Sequence, residues 1–162
     1  MEIAVVESPV GKIKFECHAQ QLSALTFNVD EPLIEPACAF AKRVHRQIKD
    51  YFQSAAYQFD LPIQEQGSEF QRRVWSALRE IPAGKVMTYG ELAQLLGSSA
   101  RAVGNACRRN PTPIVVPCHR IVAATGLGGF AGDTSGRLTD IKLQLLRHEK
   151  ALPSQQDFAF ED

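Results

Sequence analysis

All strand-like patterning in this chain lies before residue 65, and every periodic segment beyond it is helical. That segregation limits the fold to a sheet-bearing region followed by a helical one. Short apolar runs and alternation mark Ile3-Ala4-Val5-Val6, Lys12 to Cys17 and Leu22 to Phe27, with Ser8-Pro9-Val10-Gly11 as a turn signal. They predict a small antiparallel sheet. Phe40, Val44, Ile48, Tyr51 and Phe52 then keep a helical period, and the helix would cover one face of that sheet. Tyr57 to Ile63 reads as one more strand, and Gln64-Glu65-Gln66-Gly67 as a boundary. The expected class is α+β: a small N-terminal antiparallel sheet with a helix over residues 1–65, a mainly helical C-terminal domain over 66–150, and an acidic tail over 151–162.

Beyond the boundary, Ser68-Glu69-Phe70-Gln71 has the form of a capping box, and Phe70, Val74, Trp75 and Leu78 form an apolar stripe that Pro82-Ala83-Gly84 ends. Thr88-Tyr89-Gly90-Glu91 opens a second helix, stopped by Gly97. Ser98 or Ser99 caps a third, Ala100 to Arg109, which carries Arg101, Arg108 and Arg109. Two short helices joined at a glycine, the second one basic, have the pattern of a helix-turn-helix. Helical hairpins that touch no DNA share this pattern.

The 162 residues carry 18 Lys and Arg against 18 Asp and Glu. Zero net charge argues against a nucleic-acid binder, but the average hides a division. Residues 66–150 hold 12 basic against 6 acidic side chains, whereas residues 1–65 hold 6 against 9 and the last 12 residues hold 0 against 3. Any surface that meets a polyanion is therefore expected after residue 65. No run approaches the roughly 20 apolar residues of a membrane span, and the start lacks a signal-peptide pattern, so the expected compartment is the cytoplasm. Cys17, Cys38, Cys107 and Cys118 are too few and scattered for a disulfide framework. No paired Cys or His spacing supports a metal site, and no cofactor is expected.

Residues 110–122 carry the chemistry. Pro111, Pro113 and Pro117 predict an extended, non-helical backbone that holds Cys118 rigidly behind the last proline. His119 and Arg120 supply a proton acceptor and a positive charge, both of which favour thiolate over thiol. Adjacent residues on an extended chain face opposite ways, so His119 would reach the sulfur through a water.

Pro117-Cys118-His119-Arg120-Ile121-Val122 resembles the active-site signature of the O6-alkylguanine-DNA alkyltransferases, also called methylated-DNA-protein-cysteine methyltransferases. The resemblance extends over about 85 residues, 67–150, through Gly67-Ser68-Glu69-Phe70-Gln71, Val74-Trp75, Ile81-Pro82-Ala83-Gly84, Thr88-Tyr89-Gly90, Arg101-Ala102-Val103-Gly104, Asn110-Pro111, Gly129-Phe130-Ala131-Gly132, Leu145-Leu146 and His148-Glu149. It implies direct reversal of DNA damage: one irreversible transfer of a methyl or other alkyl group from O6-alkylguanine, with O4-alkylthymine a further option, to a cysteine after the base is flipped. The implied partner is double-stranded DNA containing the lesion, bound by a monomer, with cooperative assembly along DNA left open.

Carried over motif by motif, the resemblance implies that Cys118 is the nucleophile, His119 the base acting through water, and Glu149 the group that orients His119. It implies that Tyr89 presses on the phosphate beside the target and offers its hydroxyl to the base. Arg101 would fill the space left by the extruded guanine, on a helix whose small residues, Ala102 among them, permit close approach to the minor groove. Asn110 would hold the turn before the active segment, and the carbonyls of Cys118 and Ile121 would accept from the guanine amine. Arg120 and Ala131 are also assigned to the substrate side, Ala131 through its backbone because it stands where some relatives have serine. Taken singly, Tyr89 reads equally as core, Arg101 as a solvated charge, Asn110 as a turn former and Glu149 as a surface residue.

Departures from the family pattern are the longer Asp133-Thr134-Ser135-Gly136-Arg137 segment and the lack of Trp in Lys142-Leu143-Gln144. Three rivals remain in view: an alkyltransferase-like DNA-binding module, which would lack the cysteine; a helix-turn-helix regulator, for whose effector domain 65 residues leave little room; and a cysteine hydrolase, which adjacent Cys and His do not suit.

Overall fold

The computed structural model describes residues 1–128 and 137–151, the side chain of Arg137 excepted. The chain divides into two compact units, Met1–Glu65 and Gln66–Asp162. In the first, β1 (Glu2–Val6), β2 (Ile13–His18) and β3 (Gln21–Phe27) form an antiparallel sheet in that order. Ile13, Phe15 and Cys17 are buried while Lys14 and Glu16 are more exposed, the period-2 alternation of a strand with one covered face. The β2–β3 hairpin turns through Ala19 and Gln20, at φ of 52° and 59°. Two positive φ values define a mirror-image turn, which suits the strand twist but normally takes Asn-Gly.

Helix α1 (Ala39–Gln53) packs on β1 and buries Phe40, Ala41, Val44, Gln47, Ile48 and Tyr51. Its start is unusual in being capped by a thiol: Cys38 Sγ accepts from the Ala41 N–H at 3.4 Å. The strand expected over Tyr57 to Ile63 does not form. Only Ile63 pairs, in a single parallel bridge with Leu22. The Gln47 side chain instead takes both backbone groups of Asp60, at 2.9 and 3.1 Å, and Tyr57 and Phe59 turn into an aromatic cluster with Tyr51. A buried glutamine thus replaces the ladder partners that a strand would need.

The second unit begins with α2 (Glu69–Leu78), whose capping box closes through Ser68 and Gln71. The helix ends at Leu78, four residues before Pro82. A two-residue strand β4 (Met87–Thr88) leads into α3 (Tyr89–Leu96), capped by Thr88 and Glu91 and ended by Gly97 at φ 66°. Ser99, not Ser98, caps α4 (Ala100–Arg108), its hydroxyl accepting from Ala102 N–H. The helix pair anticipated from sequence is therefore present. Trp75 Nε1 donates to Ala106 O at 2.8 Å and fastens α2 to α4.

Strand β5 (Ile121–Val122) pairs parallel with β4, Met87 opposite Ile121 and Thr88 opposite Val122. This short ladder was not visible in the sequence, because two residues carry no period. It places the start of α3 beside the end of the active segment. Helix α5 (Arg137–His148) closes the unit, with Ile141, Leu145 and Leu146 buried. Among the described residues no helix is long and apolar enough to cross a membrane.

Two left-handed glycines differ in what surrounds them. A β-carbon on Gly97 would meet nothing within 4 Å, whereas on Gly67 (φ 86°) it would stand 2.7 Å from both Gln71 Oε1 and the Trp75 ring. Gly97→Ala should therefore cost about 1 kcal/mol, the left-handed penalty alone. Gly67→Ala should cost at least twice that, because backbone conformation, cap and tryptophan are all disturbed. Urea unfolding followed by Trp75 fluorescence measures both.

Candidate active site

The active segment is a sequence of tight turns rather than the extended chain that its prolines suggested. Asn110 builds the first: its Nδ2 donates to Val116 O at 2.8 Å and its Oδ1 accepts from Thr112 N–H at 3.0 Å. Ile114 at the crest adopts φ 73°, a conformation that a β-branched residue reaches only when its surroundings impose it. Pro117 follows at φ −81°, ψ 68°, and across it Cys118 N–H donates to Val116 O at 2.8 Å. This is an inverse γ-turn. Proline fixes φ but leaves ψ free, so three prolines did not guarantee extension. Cys118–Arg120 then forms one turn of 3₁₀ helix, closed by Arg120 N–H to Pro117 O.

The turn spreads its three side chains about 120° apart, since a 3₁₀ helix has three residues per turn. His119 and Arg120 converge on Glu149. His119 Nε2 lies 2.7 Å from Glu149 Oε2, and both are buried. Arg120 meets the same carboxylate with two nitrogens, Nε to Oε1 and Nη2 to Oε2, each at 2.9 Å, and its Nη1 donates to Ile81 O at 2.6 Å. The Arg120 assignment to substrate is corrected by this geometry: three of its donors are committed inside the protein, and only 11% of its side chain is exposed.

Glu149 is not the surface residue that its position at a helix end suggests. Lys150 takes φ 59°, its N–H donates to Arg147 O, and Ala151 N–H donates to Leu146 O. These two bonds make a Schellman motif with Glu149 as the C-cap. The helix end fixes the carboxylate.

Burial pushes the Glu149 carboxyl up, but His119 and Arg120 outweigh it and hold it at about 2. Burial lowers His119 below the usual imidazole range against the opposing pull of Glu149. A neutral His119 therefore donates its Nε2–H to the carboxylate, and Nδ1 becomes the acceptor nitrogen. That nitrogen is buried and takes no hydrogen bond from the described residues.

Cys118 is only 6% exposed. Burial raises its thiol, and the groups that pull it back are the Asn110 side chain and Lys142. The expectation that the neighbouring charge of Arg120 would favour the thiolate is thus corrected, because that charge is neutralised by Glu149. Lys142 was missed as a site residue. It is fully buried on α5, donates to Ile121 O at 2.6 Å, and stands 5.9 Å over the Tyr89 ring. A lysine in an otherwise apolar helix stripe was the available signal.

Tyr89, the first residue of α3, is half-buried between two glycines. A β-carbon on Gly104 would sit 3.9 Å from its ring, and one on Gly128 3.1 Å from ring and 3.2 Å from hydroxyl. Arg101 is exposed on the first turn of α4. Ala102 lines a shallow cavity of about 470 Å³ with Ser68, Phe70, Gln71, Arg108 and Arg109, among others. The Ile121 carbonyl already accepts from Lys142 and keeps one lone pair for another donor. Ala131 and the longer 133–136 segment lie outside the described residues. Among those described, no group of His, Cys, Asp and Glu is placed to hold a metal.

A buried thiol beside a His–Glu pair, on a unit that also carries an exposed basic helix pair, defines a class of protein that combines nucleophilic cysteine chemistry with DNA binding. Comparison with known proteins makes the class specific. The family model of the 6-O-methylguanine DNA methyltransferase DNA-binding domain matches residues 69–151. Methylated-DNA-protein-cysteine methyltransferases of Methanosarcina acetivorans and Methanosarcina mazei are 39% and 44% identical, over 92% and 90% of this chain and 98% and 95% of theirs. A crystal structure of Mycobacterium tuberculosis OGT in complex with DNA superposes with a TM-score of 0.75 at 35% identity, covering 93% of this chain and 94% of that one. The O6-methylguanine DNA methyltransferase of Methanococcus jannaschii gives 0.65 at 28% identity, covering 98% of each. The chain belongs to the methylated-DNA-protein-cysteine methyltransferase family.

The Glu149 clasp has a pH signature. Its folded carboxyl lies below the unfolded value, so the stability it confers is complete above about pH 4.5 and is lost as pH falls toward 2. Glu149→Gln should cost on the order of 3 kcal/mol at pH 7. Urea unfolding at stepped pH checks this: the gap between wild type and variant should narrow steadily from pH 4.5 downward.

Proposed function

We propose that this chain is a DNA repair methyltransferase that transfers the alkyl group of O6-alkylguanine in double-stranded DNA to Cys118, once and irreversibly. Family membership supports the reaction. The observation that carries the choice of machinery is the His119–Glu149 hydrogen bond, which turns the acceptor nitrogen of a neutral imidazole away from the carboxylate. His119 takes the Cys118 proton through a water. The thiolate then attacks the alkyl carbon in line: the S–C bond forms, the C–O6 bond breaks, and the leaving guanine takes a proton. The product is a thioether that water does not reverse.

The remaining assignments follow the same reading. Tyr89 offers its hydroxyl to the flipped base and bears on the adjacent phosphate, Arg101 fills the vacated stack, and Ala102 permits close approach of α4 to the minor groove. The Cys118 and Ile121 carbonyls accept from the exocyclic amine, and the Ala131 backbone N–H faces the guanine. Asn110 holds the turn that presents the nucleophile. Lesions occur in any sequence, so backbone contacts and base extrusion serve better than base-edge reading. Residues 66–150 would bind DNA and accept the alkyl group as a monomer, in the cytoplasm, where thiols stay reduced.

Incubation with a duplex containing O6-methylguanine should add one methyl group to Cys118, read by intact-protein and peptide mass spectrometry; no adduct, or one on Cys17, Cys38 or Cys107, sinks the assignment. Glu149→Gln should slow transfer by about 10²-fold or more, the scale of lost general-base assistance, with DNA affinity little changed. Equal losses in both would remove Glu149 from the chemistry. Arg101→Ala should impair repair of duplex DNA while leaving thiol reactivity toward the free base largely intact.

A further inference from the structure

A buried carboxylate beside a histidine ordinarily favours the protonated ring, because an imidazolium balances its charge. An imidazolium has no acceptor nitrogen, so such a ring could not take a proton from Cys118. His119 is fully buried with its Nε2 2.7 Å from Glu149 Oε2, a placement that invites this outcome. Arg120 changes the balance. Its Nη2 lies 2.9 Å from the same Oε2 and its Nε 2.9 Å from Oε1, so the carboxylate has a complete counter-charge before the histidine supplies one. A guanidinium also keeps its charge under burial, where a lysine would titrate.

The third donor of Arg120 holds the fork in place. Nη1 donates to Ile81 O at 2.6 Å, at the start of a turn that Lys85 N–H to Pro82 O closes. Gly84, at φ 90°, lays that turn against the end of α5, where a β-carbon on it would stand 3.4 Å from Glu149 O. One loop thus anchors the guanidinium and lies against the backbone of the residue it pairs with.

We propose that Arg120 is a positioning residue that keeps His119 available as the base: its two-point grip satisfies the charge of Glu149, so the carboxylate orients the imidazole without placing a second proton on it. The inference rests on the reading of His119 as the base that serves Cys118. The charged groups that act on His119 are Glu149, which favours the protonated ring, and Arg120 and Lys142, which oppose it together with burial. Helix α2, also packed on the turn, adds none. Cys118, the next residue in the chain, is a thiol until its proton is taken.

The test follows the His119 ring by ¹H–¹⁵N NMR against pH in the free protein, beside methyl transfer from an O6-methylguanine duplex at pH 6 and pH 8.5. Arg120→Met should move the ring titration upward by about one pH unit or more, the scale of one removed neighbouring charge, and slow transfer about tenfold more at pH 6 than at pH 8.5. Arg120→Lys, which keeps the charge, should restore most of the wild-type titration. A residue that only braced the turn would slow transfer equally at both pH values and leave the ring titration where it was, so a superimposable Arg120→Met titration overturns the proposal. Should Arg120→Met fail to fold, the wild-type ring decides: a neutral ring at pH 7 with its proton on Nε2 supports the proposal, and an imidazolium overturns it. If the wild type takes no methyl group from DNA, the functional reading fails while the ring titration still judges Arg120.

Discussion

The second unit depends on one carboxylate. Glu149 joins the end of α5 to the turn that carries Cys118, and it does so through a neutral imidazole on one side and a bidentate guanidinium on the other. Either contact alone would leave a problem. Without Arg120 the buried carboxylate would lose its bidentate cation; without His119 the contact with Arg120 would be a structural ion pair. Together they fix which nitrogen of His119 holds the proton, and the tautomer turns a packing arrangement into a potential base. The Schellman motif explains the firmness of the arrangement, because the capping geometry sets the backbone of Glu149 before its side chain makes any contact.

Enclosure and reactivity pull Cys118 in opposite directions. Burial shields the sulfur from adventitious oxidation and alkylation, yet the same burial disfavours its thiolate form. The side chains that pull the other way come from separate elements, Asn110 from the loop before the γ-turn and Lys142 from α5, so the balance depends on the assembled unit and not on the local sequence.

That dependence marks how far the sequence could be read. The three strands, α1 and the three helices α2 to α4 were legible, because each has a hydrophobic period and most carry a cap: Ser68 with Gln71, Thr88 with Glu91, Ser99, Gly97. Cys118, His119 and Glu149 were singled out through the family pattern, and the fold brings His119 and Glu149 into hydrogen-bond contact. What escaped was conformational or charge-linked. Pro117 leaves ψ free and so allows a γ-turn, Asp60 within the strand-like Tyr57 to Ile63 gives both its backbone groups to Gln47, and the donors of Arg120 turn inward to Glu149 and Ile81. Lys142 lies in the apolar stripe of α5 with Leu145 and Leu146, and that placement was the one local signal of its burial.

The position of Tyr89 is specified by what its neighbours lack. A β-carbon on Gly128 would press on the ring at 3.1 Å and on its hydroxyl at 3.2 Å, whereas one on Gly104 would make ordinary contact at 3.9 Å, so it is the missing β-carbon of Gly128 that leaves the ring its place. A boundary of this kind works by exclusion. It tells the ring where it cannot go, and selection can lose that instruction through a single-base change that leaves every hydrogen bond of the site in place.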